Sequence, residues 1–135
     1  MKLKLFQVFF FVFFTCIAVI TTPLRADGIE KISDSELIAI FDEIDLVILD
    51  VRRPAHWEQS EKKIAEALRE DPYEVSSWGQ KYDTEKKYVL YCACPLEFTS
   101  NKVARKMQKM GFQQIYVLKG GWKTWEKNGF PTEPR

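Results

Sequence analysis

Three short apolar runs constrain the fold of this chain more than any other feature: Leu46-Val47-Ile48-Leu49, Tyr88-Val89-Leu90-Tyr91 and Ile115-Tyr116-Val117-Leu118. Each is of strand length and continuous rather than alternating, the pattern of strands covered on both faces. Stretches with helical spacing separate them. Ser33-Asp34-Ser35-Glu36 reads as a capping box, followed by Leu37, Ile40 and Phe41 on a helix ending near Glu43. A second helix runs from about Ser100 to Met110, burying Val103, Ala104 and Met107, with Gly111 at its left-handed end. A third spans Trp122 to Lys127, stopped by Gly129 and Pro131. Gly28–Ile32 reads as a short edge strand. Between Ala55 and Gln80 the pattern gives one helical turn at His56–Gln59, a short strand at Ile64–Leu68 and a short helix near Tyr73–Trp78. Strands alternating with helices make a parallel α/β sheet, with a functional crevice at the carboxyl ends of its strands.

The first 26 residues read differently. Lys2 and Lys4 give a basic start, Leu5 to Ile20 is apolar except for Gln7 and Thr15, and Leu24-Arg25-Ala26 ends in a small residue. That is the tripartite pattern of a secretory signal peptide, cleaved after Ala26 and leaving residues 27–135 as one domain in the periplasm or outside the cell. A retained leader would instead act as a membrane anchor, since the run approaches spanning length. Over the 135 residues, 20 Lys and Arg stand against 19 Asp and Glu, a mixed, near-neutral balance that argues against a nucleic-acid partner.

Of the three cysteines, Cys16 falls within the leader, and Cys92 and Cys94 remain. They follow the central apolar run and precede a helix, in Tyr91-Cys92-Ala93-Cys94-Pro95-Leu96-Glu97-Phe98-Thr99-Ser100. Unpaired N–H groups and the helix dipole favour an anion at such a place, and a thiolate is the nucleophilic form of cysteine. A disulfide across two residues would close a small, strained, easily reduced ring, which suits transfer chemistry better than stapling. Two thiolates could hold soft Cu(I), but with a single histidine, and with Met107 and Met110 at core spacing, no metal and no cofactor is expected.

Three stretches together resemble the single-domain rhodanese family. They are Leu49-Asp50-Val51-Arg52 after a buried strand, the cysteine loop before a helix, and Val117-Leu118-Lys119-Gly120-Gly121-Trp122-Lys123-Thr124-Trp125 with its Gly-Gly-x-x-x-Trp signature. The resemblance covers roughly residues 28–133. It implies three layers, with a central five-stranded parallel sheet flanked by helices. It also implies a sulfurtransferase in which a loop cysteine takes a sulfane sulfur as a persulfide and passes it to a thiol or cyanide. The implied partners are a small sulfur donor and a thiol acceptor, and the implied state is a monomer.

The family's six-residue loop, counted back from Ser100, makes Cys94 the nucleophile, with Pro95, Leu96, Glu97, Phe98, Thr99 and Ser100 forming the substrate loop. The family's Tyr-Cys at the strand end favours Cys92 instead, and the cysteine not used becomes a helper. The loop departs from the family in lacking a glycine and a basic residue. Glu97 is expected to oppose thiolate formation and to repel a dianion such as thiosulfate. The usual Gly-His-Ile-Pro-Gly-Ala segment appears as Lys62-Lys63-Ile64-Ala65-Glu66-Ala67. Asp50 and Arg52 are expected to be structural supports, His56 a solvated loop residue, Trp122 and Trp125 core, and Gly120-Gly121 a tight turn.

A phosphatase on the same fold needs an arginine six positions beyond its cysteine to clamp phosphate, but Phe98 and Ser100 stand there. The other reading in play is a catalytically silent rhodanese module that carries sulfur or binds a partner.

Overall fold

The computed structural model describes residues 28–135. The expected leader lies outside the described residues. The elements in order are β1 (Glu30–Ile32), α1 (Asp34–Ala39), β2 (Leu46–Asp50), α2 (Pro54–Glu58), β3 (Lys62–Ile64), β4 (Leu68–Arg69), α3 (Val75–Trp78), β5 (Lys87–Tyr91), α4 (Phe98–Lys109), β6 (Gln114–Leu118), α5 (Gly121–Lys127) and β7 (Thr132–Pro134). Five strands form one parallel sheet in the order β1-β6-β5-β2-β4.

The continuous apolar runs follow from this placement. On β5, Tyr88 and Leu90 face one layer while Val89 and Tyr91 face the other. The first layer is built by Val75 and Trp78 of α3 and by Val103, Ala104 and Met107 of α4. Leu37 of α1 and Trp122 and Trp125 of α5 build the second. Strand periodicity sends successive side chains to opposite faces, so a strand between two helical layers has no polar position. The three-layer α/β fold with its five-stranded parallel sheet is as expected.

Three local features differ from expectation. The segment Ile64–Leu68 is not one strand. Glu66 adopts a left-handed backbone (φ 63°), and Ala67 N–H turns back to the Ile64 carbonyl at 3.1 Å. The chain is thereby divided, with β3 pairing antiparallel with β7 and β4 joining the main sheet beside β2. The first helix, capped by the reciprocal Ser33–Glu36 box, stops at Ala39, and Ile40 and Phe41 pack against the second layer from the turn beyond it. The helix after the cysteines starts at Phe98, two residues before Ser100.

Asp50 and Arg52 are both fully buried and paired. Arg52 donates from Nε to both Asp50 carboxylate oxygens at 3.0 Å and from Nη2 to Oδ2 at 2.6 Å. A further bond from Nη2 reaches the Lys62 carbonyl at 3.0 Å, tying β2 to β3. The guanidinium carbon also lies 4.7 Å from the Trp122 ring centroid, 5.1 Å from Trp57 and 5.6 Å from Tyr91, so aromatic faces surround the cation. Tyr91 donates its hydroxyl proton to Asp50 at 2.7 Å and accepts from Ile64 N–H at 3.2 Å. Burial, reinforced by the Asp50 charge and this hydrogen bond, pushes the Tyr91 hydroxyl far above its ordinary range and keeps it a donor.

Removing one member of a buried pair leaves the other charge uncompensated. Asp50→Ala is therefore expected to lower unfolding stability by about 3–5 kcal/mol, read from urea denaturation. A midpoint equal to the unsubstituted protein would show that Arg52 does not depend on Asp50.

Candidate active site

Tyr91 ends the central strand, and the next six residues, Cys92 to Glu97, carry the chain across the carboxyl end of the sheet to α4. Cys92 is buried at 1% exposure. Its sulfur lies 3.4 Å from the Ser100 hydroxyl and 3.9 Å from the Cys94 carbonyl, to which it donates. Cys94 is half-buried. A turn closed by Glu97 N–H on the Cys94 carbonyl at 3.0 Å lifts Pro95 and Leu96 outward. Both cysteines are free thiols.

Main-chain contacts hold this loop against the start of α5. Trp122 N–H donates to the Cys92 carbonyl at 2.8 Å. Gly120 and Gly121 both have positive φ, 74° and 58°, and a Cβ on Gly121 would lie 2.3 Å from the Cys92 carbonyl oxygen. Only glycine allows the two backbones to approach so closely in this conformation. The Gly-Gly pair is a tight turn, as expected, and its second function is to let the cysteine loop pack on it.

Glu97 does not point freely into the loop. Its backbone is left-handed (φ 53°), and its side chain is nearly buried. Oε2 pairs with Lys31 Nζ of β1 at 2.5 Å, and Oε1 accepts from Gly120 N–H at 2.8 Å. Its carboxylate thus joins the cysteine loop, the edge strand and the Gly-Gly turn. Its charge is met by an ammonium group and a main-chain donor, so the repulsion expected from sequence is offset at its source.

A cavity of about 760 Å³ opens beside the loop, with Ala93, Cys94, Pro95 and Trp122 on its wall. Arg53, His56, Lys62 and Lys123 bring basic groups to it, and Glu61 and Glu126 bring carboxylates. His56 is part of α2 rather than a free loop, and its Nε2 lies 3.3 Å from the Arg53 guanidinium. Cys94, the expected nucleophile, lines the cavity, and so does Pro95 of the expected substrate loop. Leu96 and Phe98 project outward at 66% and 68% exposure, Thr99 is half-buried, and Ser100 turns in to Cys92. Arg53 directly follows the Asp50–Arg52 stretch and Lys123 fills an open position of the Gly-Gly-x-x-x-Trp signature, so the sequence marks neither as a site residue; elements distant in the chain bring them here. Among the described residues no group of three or more His, Cys, Asp and Glu side chains is placed to hold a metal.

The profile of the rhodanese-like domain family matches residues 33–128, most of the described chain. The chain belongs to the rhodanese-like family. A rhodanese relative, thiosulfate sulfurtransferase GlpE of Coxiella burnetii, is 33% identical over 97 residues, covering 72% of this chain and 87% of its own. Among solved structures, a Rhodopseudomonas palustris protein of unknown function, described as a possible tyrosine phosphatase, superposes with a TM-score of 0.66 at 28% identity, covering 78% of this chain and 85% of that one. A rhodanese-related protein from Thermoplasma volcanium gives 0.65 at 23% identity, covering 77% and 97%. The phosphate-clamping arginine has no counterpart six positions beyond either cysteine of this rhodanese loop. General sulfurtransferase function is supported by the family and by its named relative.

Gly121→Ala would combine an unfavourable backbone conformation with a clash on the Cys92 carbonyl. It is expected to cost at least about 2 kcal/mol in urea unfolding. An unchanged midpoint would mean that the turn does not press on the cysteine loop.

Proposed function

We propose that this rhodanese is an exported sulfurtransferase that accepts sulfane sulfur on Cys94. One observation carries the choice of cysteine: Cys94 lines the cavity, whereas Cys92 is buried. In the first half-reaction the Cys94 thiolate attacks the outer sulfur of a donor. The sulfur–sulfur bond to the leaving group breaks, and that group departs with the electron pair. The product is a Cys94 persulfide. An acceptor thiolate or cyanide then attacks the outer persulfide sulfur, and the Cys94 thiolate leaves with its electrons.

The turn that Glu97 N–H closes on the Cys94 carbonyl leads straight into α4, a helix of 12 residues whose first N–H groups favour an anion at this end of the sheet. Arg53, Lys62 and Lys123 supply positive charge that the loop itself lacks, which supports a small anionic donor such as thiosulfate or a polysulfide. Cys92 is the helper in this reading, held by Ser100 close behind the loop. Export rests on the N-terminal pattern of basic start, apolar run and small-residue end.

A second reading has one observation in its favour. Because α4 begins at Phe98, the six residues between strand and helix begin with Cys92. The loop count that selected Cys94 from the sequence therefore moves to Cys92 when measured from the observed helix start.

Intact mass after exposure of each single-cysteine variant to thiosulfate, and separately to polysulfide, separates the two. Cys92→Ser is expected to gain one cyanide-removable sulfur, and Cys94→Ser to gain none. The reverse pattern would assign the reaction to Cys92. No adduct on the folded, reduced, unsubstituted protein would exclude sulfur transfer with these donors and leave a silent binding module.

A further inference from the structure

Helix α4 leads directly out of the cysteine loop, and its sequence, Phe98 to Lys109, contains no acidic residue. Its outer face carries Phe98, Lys102, Arg105 and Lys109, all exposed. At about 100° per residue these four positions fall within roughly 60° of arc, a single stripe about 16 Å long. Lys106 lies half-buried beside them. None of these four cations pairs with a described carboxylate, although other lysines of the domain do. Attraction to the helix C-terminus accounts for basic residues in the last turn, here Lys106 and Lys109. It does not account for Lys102 in the second turn, nor for two large apolar side chains standing free at the other end.

Those apolar side chains, Leu96 and Phe98, are exposed and follow Cys94 and the exposed ring of Pro95 in the same tight turn and the helix start after it. An apolar lip beside the reactive thiol, continued by a basic stripe, has the composition of a docking surface: an apolar contact at the centre and charges that steer approach. We propose that this surface receives an acidic protein carrying the acceptor thiol, with its apolar flank on Leu96 and Phe98 and its carboxylates along Lys102, Arg105 and Lys109. This deepens the sulfurtransferase reading, on which it rests, by assigning the chemical character of the acceptor. A protein is favoured over an anionic membrane because the stripe starts at Phe98, one residue beyond the turn that Glu97 N–H closes on the Cys94 carbonyl, and what reacts with Cys94 has to present a sulfur. In the transfer the acceptor thiolate attacks the outer persulfide sulfur, the Cys94 thiolate leaves, and the acceptor carries the persulfide away with no net oxidation or reduction.

The test uses two short peptides, each with one central cysteine, flanked by glutamates in one and by lysines in the other. Both are prepared as mixed disulfides with thionitrobenzoate and reacted with the Cys92→Ser protein, whose remaining described thiol is Cys94. Attack on the peptide sulfur releases the coloured thionitrobenzoate whether or not the protein turns over sulfane sulfur. Sulfur transfer to cyanide, measured separately, reports on the sulfurtransferase reading itself. The acidic peptide is expected to react about tenfold faster at low salt, with the preference lost in high salt and reversed in the K102E/R105E/K109E variant. Equal rates for the two peptides, or the same preference in the triple variant, would overturn the proposal. So would equal peptide rates combined with sedimentation of the protein on phosphatidylserine vesicles that the triple variant loses, which would assign the stripe to a membrane.

Discussion

The hydrogen bond from Trp122 N–H to the Cys92 carbonyl is the contact on which the site depends. It joins the end of the central strand to the start of the last helix, two places about 30 residues apart in the chain. The approach is possible because Gly121 has no Cβ to strike that carbonyl. Once the two backbones meet, the path of the next residues is narrowly set. Cys92 turns inward to Ser100, and Cys94 comes out on the cavity wall. Glu97 fastens the far end of the same loop through Gly120 and Lys31. A reactive loop held at both ends loses little conformational freedom when it binds a donor, which is the physical content of a preorganised site.

Beneath the loop, charge is handled by burial in pairs. Arg52 is fully enclosed, yet Asp50, the Lys62 carbonyl and three aromatic faces receive its guanidinium. The cluster links the ends of β2 and β5 to β3 and α5, the elements whose loops surround the cavity. Its contribution is to orientation as much as to stability, since buried ion pairs gain little over apolar packing of the same volume. The basic groups on the cavity wall are a separate set, exposed or half-buried and free to meet an anion.

Much of this was legible in the chain. The buried strands announced themselves as unbroken apolar runs because two helical layers cover the sheet. Ser33 and Glu36 announced a capped helix, and the cysteine loop and the Gly-Gly turn marked the site. Other features left no readable signal. Glu66 and Glu97 both adopt left-handed backbone, which glycine would have advertised and glutamate does not. The first therefore hid the division of Ile64–Leu68 into two strands. The second hid the start of α4, whose cap residue makes no side-chain capping bond. β7 was obscured by Pro131 and Pro134, tolerable there because a two-stranded ribbon is all edge. Arg53 and Lys123 stand beside and within recognised stretches, but at positions whose residue type those patterns leave open, and tertiary packing brings them to the cavity.

Selective alkylation tests most directly whether the loop presents Cys94 and withholds Cys92. The folded, reduced protein is treated with limiting iodoacetamide, and the modified cysteine is located by peptide mass mapping over time. The expected result is labelling of Cys94 at least about a hundredfold faster than Cys92, with the difference abolished by denaturant. Labelling of Cys92 first, or of both at one rate in the folded protein, would contradict the assignment of Cys94 as the open, reacting thiol.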